Sequence, residues 1–94
     1  MSKLNQKQID VNLSKFSGWS FEKASISKQF KFKDFIEALS FVNAVGMEAE
    51  KMDHHPDILM FAWNKVKITI STHSAGGVTK KDFSLAQKIE ERIK

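Results

Sequence analysis

The three histidines are the side chains of this sequence best suited to moving protons, and all of them fall within the twenty residues from His54 to His73. Imidazole ordinarily titrates near pH 6.5, so a group of imidazoles can give one proton and take another at neutral pH. Two or three in one place suit general acid–base chemistry, such as protonating a leaving hydroxyl while a second group receives a proton. Glu50 and Asp53 stand close enough in sequence to orient an imidazole or to hold a polar substrate. Taken singly, each feature also has an ordinary reading. His54-His55-Pro56 is a surface turn, and His73 is a surface residue closing a strand. Zinc is a rival reading for three histidines. Against it, consecutive residues point in different directions, and the H-x-x-x-H spacing of a helical site is absent. Asp82 reads as a helix cap or as a chemical group, and Trp63 as hairpin core or as the aromatic wall of a pocket.

The elements around these residues must bring them together. Ile58–Trp63 is a short apolar run, and Asn64-Lys65 makes a turn. Val66, Ile68 and Ile70 then alternate with polar residues up to His73, the pattern of a half-buried strand. A hairpin of that form places the start of one strand beside the end of the other, so His54, His55 and His73 converge on one edge of the sheet. Upstream, Ile9, Leu13 and Phe16 mark a helix over Asn5–Lys15, which Gly18 breaks. Trp19 and Phe21 share a face, then Ile26, Lys28, Phe30 and Phe32 alternate with polar residues. This predicts a second hairpin whose apolar face Lys28 interrupts. Asp34 and Glu37 resemble a capping box ahead of a helix running to about Lys51. Its stripe is Phe35, Leu39, Val42, Val45, Ala49 and Met52. Gly46 inside it costs about 1 kcal/mol relative to Ala and is expected to allow close packing. Phe30, Phe32, Phe35 and Phe41 are expected in the core. Gly76-Gly77 ends the second hairpin, Thr79 and Asp82 form another cap, and Leu85, Ala86, Ile89 and Ile93 line the last helix. The order is α-β-β-α-β-β-α, an α+β fold: one four-stranded antiparallel sheet with its helices on one face.

Ninety-four residues are expected to make a single domain, 1–94. With 41% hydrophobic and 28% charged residues, the composition is that of a globular chain and not a disordered one. No cysteine is present, which excludes disulfides, thiolate metal ligands and a cysteine nucleophile. No apolar run reaches the roughly 18 residues of a membrane span, and the first ten residues lack the apolar stretch of a signal peptide. A soluble, cytoplasmic protein is expected. The net charge of +4 raises nucleic acid as a partner, but fourteen of the fifteen basic residues are Lys and they are dispersed. Guanine readout and phosphate clamping favour Arg, so the charge reads as a solvated surface with no direct nucleic-acid role.

Several of these residues together carry a family likeness. Glu50-Lys51-Met52-Asp53-His54-His55-Pro56, then Trp63, Ser71-Thr72-His73 and Asp82 resemble the pterin-4a-carbinolamine dehydratases. Phe30-Lys31-Phe32-Lys33-Asp34-Phe35 and Asn64-Lys65-Val66 extend the likeness over most of Gly18–Ile93. The resemblance implies three helices on a four-stranded sheet. It also implies dehydration of 4a-hydroxytetrahydrobiopterin to quinonoid dihydropterin, the recycling step that follows aromatic amino-acid hydroxylation. By resemblance the catalytic set is His54, His55 and His73, with His54 and His73 as the acid–base pair and His55 holding the pterin. The implied pterin-binding positions are Glu50, Asp53, Pro56, Trp63, Ser71, Thr72 and Asp82, with Ser71 and Thr72 offering backbone groups. Neither a metal nor a cofactor is implied.

Two departures stand out. The stretch from Pro56 to Asn64 is one residue longer than in animal members, which predicts a bulge in that strand. Trp63 replaces a common tyrosine. A homo-oligomer, dimer or tetramer, is expected, because an open antiparallel sheet invites pairing between copies. The alternative reading is a non-enzymatic dimerisation or assembly module that binds a protein partner. Retention of all three histidines favours the enzyme.

Overall fold

A computed structural model describes residues 2–93. The chain runs α1 (Gln6–Leu13), β1 (Ser20–Glu22), β2 (Ser25–Lys31), α2 (Phe35–Met52), β3 (Asp57–Phe61), β4 (Lys65–Ile70), a 3₁₀ turn (His73–Ala75) and α3 (Lys80–Glu91). The strands form one antiparallel sheet in the order β1-β2-β4-β3, so β4 is interior and β3 an edge. Alternation decides which face is buried. Ile26 and Phe30 on β2 pair with Ile70 and Val66 on β4, and Ile58 and Met60 on β3 face Ile68 and Val66. The helices cover this apolar face through Phe41, Val45, Phe83, Leu85 and Ile89. The order and layering are those the sequence patterning predicts.

Lys28 interrupts the buried face of β2, and its ammonium escapes sideways. Nζ donates to the Ser17 carbonyl and to Glu90 Oε2, each at 2.8 Å. Trp19 Nε1 donates to the same carboxylate oxygen at 2.9 Å. The stem runs past Gly18, at φ 87°, where a Cβ would lie 2.9 Å from Lys28 Cε. A partly buried charge is tolerated here because it is paired and hydrogen-bonded.

Helix caps follow the sequence closely. Asp34 accepts the Glu37 N–H, while the Glu37 carboxylate takes the N–H of Lys33 instead of that of the cap residue. Thr79 and Asp82 form a complete capping box at α3.

Several expectations need correction. Phe35 and Leu39 are exposed on α2, because the buried stripe is rotated toward Ala38, Phe41, Val45 and Ala49. Gly46 meets nothing, since a Cβ there would find no atom within 4 Å. Ile93 is exposed, while Phe83 joins the core in its place. No bulge occurs in β3, whose five residues pair regularly from Asp57↔Thr69 to Phe61↔Lys65. The extra residue is absorbed by the turn, where Ala62 and Trp63 take left-handed φ values of 48° and 54°. The turn therefore runs over Ala62, Trp63 and Asn64, starting ahead of the expected Asn64-Lys65, and the Asn64 side chain and backbone both bond to Phe32.

Candidate active site

The site begins where α2 stops. Asp53 takes the left-handed conformation at φ 51°, and its N–H returns to the Ala49 and Glu50 carbonyls. The His54 N–H also bonds the Ala49 carbonyl, at 3.0 Å. Such a reversal satisfies the last carbonyls of a helix and swings the chain out sharply. Beyond it the two histidines part: His54 is buried and His55 exposed. Continuing the β3–β4 register by three residues sets His55 opposite Ser71 and His54 opposite Thr72.

The buried histidine enters a closed polar network. His54 Nε2 lies 2.5 Å from Asp82 Oδ1. Asp82 Oδ2 accepts the Thr72 hydroxyl at 2.9 Å and the Thr79 N–H at 2.8 Å. Thr72 Oγ1 also lies 2.9 Å from Thr79 Oγ1. Because Thr72 donates to Asp82, Thr79 is the donor between the two hydroxyls, and Thr79 Oγ1 accepts the Lys81 N–H. Thr79 and Asp82 are wholly buried, and His54 and Thr72 nearly so. Among the described residues no buried side-chain nitrogen or oxygen lacks a partner. Asp82 acts as acceptor throughout, so His54 presents its N–H at Nε2 and keeps Nδ1 for other chemistry.

Around this network the other candidates divide. His55 Nε2 lies 2.8 Å from Glu50 Oε1, and both side chains are largely exposed. Pro56 is half-buried just before β3. Ser71, Thr72 and His73 line an open cleft of about 290 Å³ together with Lys23, Ala24, Ser25, Gly76 and Gly77. His54 and His55 stand on the β3 side of β4 and do not line it. His73 does not end the strand: β4 stops at Ile70, and His73 opens the 3₁₀ turn with its side chain toward solvent. All three histidines lie toward the end of the β3–β4 hairpin remote from its turn, but His73 lines a cleft that His54 and His55 do not. Asp53 contributes its backbone to the helix stop. Trp63 is not a core residue. It is 61% exposed at the hairpin tip, and β3 puts about 16 Å of strand between it and His55. Among the described residues, no group of three or more His, Cys, Asp or Glu could hold a metal ion.

Sequence reasoning missed two hydroxyls. Thr72 is expected to offer only its backbone, and Thr79 only a cap. Both side chains brace Asp82. The cap pattern Thr79-x-x-Asp82 signals half of this, since a cap carboxylate has a second oxygen to spend.

The profile of the family described as pterin 4 alpha carbinolamine dehydratase matches residues 2–92. The chain belongs to this family. A relative from Sulfolobus acidocaldarius, provisionally named a pterin-4-alpha-carbinolamine dehydratase, is 46% identical, covering 95% of this chain and 97% of its own. One from Trichormus variabilis, with the same provisional name, is 48% identical over 94% of each chain. The crystal structure of a transcriptional coactivator/pterin dehydratase from Brucella melitensis superposes with a TM-score of 0.90 at 36% identity. It covers 96% of this chain and 97% of the other. The pterin dehydratase fold thus accounts for nearly the whole chain.

Proposed function

We propose that this protein dehydrates 4a-hydroxytetrahydrobiopterin to quinonoid dihydropterin, with His54 and His73 as the proton-transfer pair. The observation that carries the reading is the buried carboxylate of Asp82. One oxygen holds His54, and the other holds Thr72, the residue whose backbone leads into His73. A single fixed group thus holds the His54 ring and the residue that leads into His73. In the reaction, one imidazolium protonates the 4a-hydroxyl and the C4a–O bond breaks to release water. The N5 lone pair closes the C=N bond, and the second imidazole accepts the N5 proton. The sum is loss of one water with no oxidant and no metal step. His55, pinned by Glu50, faces solvent at the same end of the hairpin and holds the pterin ring, with Ser71 and Thr72 beside it. Positioned acid–base groups contribute about 10²–10⁴-fold, which suffices for a carbinolamine that already loses water slowly unaided.

The test follows freshly generated 4a-hydroxytetrahydropterin by ultraviolet absorbance without protein, with wild type, and with His54→Ala/His73→Ala. Acceleration that falls to background in the double variant is the expected result. A folded wild type no faster than buffer overturns the reading.

A second reading, as a non-enzymatic dimerisation or assembly module that binds a protein partner, has its own observation. Phe35, Ile36, Leu39 and Met47 project from α2 at 40–67% exposure, beside the open notch at Gly46. A clustered apolar face of this kind ordinarily marks an interface. The Brucella neighbour's name also joins a coactivator role to the dehydratase one. Sedimentation of wild type and Ile36→Glu, read beside the dehydration assay, decides it. An assembly lost on substitution, in a wild type that does not accelerate dehydration, supports the module, and a monomeric wild type that accelerates dehydration removes it. Among the described residues no helix is long and apolar enough to cross a membrane.

A further inference from the structure

The turn bearing His73 is held at one end by Thr72 and Asp82, and its other end rests on a segment no function has been given. From Thr72 to Gly77 the backbone closes on itself: the Thr72 N–H bonds the Gly77 carbonyl at 2.9 Å, and the Gly76 N–H bonds that of His73 at 3.1 Å. Gly76 is left-handed at φ 72°. These bonds fix the turn's shape but not its place on the molecule. Its exit leg, Gly77–Val78, is buried against residues 3–5. The Leu4 N–H donates to the Val78 carbonyl at 2.7 Å, and the Leu4 side chain is 9% exposed in the core cluster. The Lys3 stem lies on Gly77 so closely that a Cβ there would sit 2.7 Å from Lys3 Cδ. Asn5, next in sequence, caps α1 through reciprocal bonds with Gln8. A hollow of about 310 Å³ bounded by Leu4, Ile9, Phe21 and Val78 shares Ala24, Gly76 and Gly77 with the His73 cleft. The strap and the cleft are therefore two sides of one thin wall.

We infer that residues 3–5 are a positioning strap for His73, with Leu4 as its anchor. The strap seats Gly77–Val78 on the exit leg, between the Thr72 and Thr79 ends that Asp82 holds, and so fixes the imidazole relative to His54. This assignment rests on the dehydratase reading for its catalytic consequence, while the hold on the turn stands on geometry alone. Small displacements of a reacting group cost catalysis steeply, and a 1 Å error can cost about 10²-fold. Loosening one of two anchors is expected to cost about tenfold.

The test compares full-length wild type, Leu4→Ala and the near volume-conserving Leu4→Met, well below their melting temperatures. In Leu4→Ala the Thr72, Gly76 and Gly77 amides should exchange about tenfold faster. The His73 ring resonances should move while those of His54 stay, and kcat should fall about tenfold with KM within about twofold. Leu4→Met should restore all three. Unchanged turn amides with unchanged kcat would overturn the inference. So would equal acceleration at Val66 and Ile68, which would mean general destabilisation. If Leu4→Ala does not fold, Gly77→Ala displaces Lys3 without removing a core group. It should raise exchange at Leu4 and at the turn, and wild-type exchange at both would again overturn the strap. A wild type without dehydratase activity would refute the dehydratase reading alone, because the amide and ring readouts still judge the strap.

Discussion

His54 and His55 are neighbours in sequence, each with a carboxylate partner, and they occupy opposite environments. The His54–Asp82 pair is buried, spans 28 residues and shares its carboxylate with two further donors. The His55–Glu50 pair is exposed, spans five residues and has no further bond to hold it. Desolvation separates them energetically. A buried, fully partnered pair cannot lose one member without stranding the other, whereas an exposed pair exchanges protein contacts for water at little cost. One histidine is thus held rigidly by the fold. The other is held only by an exposed pair.

The comparison is broken most severely at Asp82. In Asp82→Asn an amide N–H₂ facing His54 would demand the opposite tautomer, or in the flipped orientation it would face Thr72 and Thr79 and remove their acceptor. We expect kcat to fall on the order of 10²-fold. The urea midpoint should fall by the equivalent of about 3–5 kcal/mol, the usual loss on breaking a buried pair. Rate assays and urea melts on the same preparation check both. Activity within twofold of wild type would mean that the buried pair is only structural.

A smaller, different effect is expected at His55. His55→Ala should raise KM about tenfold and leave the urea midpoint within about 0.5 kcal/mol, because the side chain faces solvent. A loss of stability comparable with Asp82→Asn would erase the contrast between the two pairs. Glu50→Gln sharpens it further: stability should change by less than about 1 kcal/mol, as for other exposed ion pairs, with KM rising two- to threefold. Steady-state kinetics on the three variants separate these outcomes.

The smallest effect concerns Glu48, remote from the site. Its hydrogen bond from Arg92, aided by the charge of Lys51, holds its carboxyl below the usual value of 4.5. A carboxyl with a lowered folded-state pKa stabilises above its unfolded pKa, and that contribution is lost as pH falls through the folded value. Glu48→Gln should therefore flatten slightly the fall of the urea midpoint below about pH 4.5 and leave it unchanged in activity. A steeper acid limb in the variant would contradict the assignment.

The legibility of the molecule follows the range of its interactions. The caps at Asp34 and Thr79, the alternation of Val66, Ile68 and Ile70, and the order of elements depend on residues a few places apart, and the sequence displays them directly. What failed depends on a third element. The stripe on α2 was misplaced because Phe35 and Leu39 continue an apolar pattern that serves the core at Val45 and Ala49 and leaves the core at its other flank. The added residue before Asn64 reads as a bulge in the strand. Left-handed conformations at Ala62 and Trp63 put it in the turn instead.

The sequence by itself determined the fold, the family and the cluster of histidines, because hydrophobic period, cap pairs and motif spacing are local quantities. The tertiary structure decided which histidine is buried. It brought Asp82 from α3 to the end of the β3–β4 hairpin and gave Thr72 and Thr79 a common acceptor there. It also laid residues 3–5 beneath the turn that carries His73. Burial and long-range pairing are properties of the packed chain, since a side chain's solvent and partners are set by elements far away in sequence.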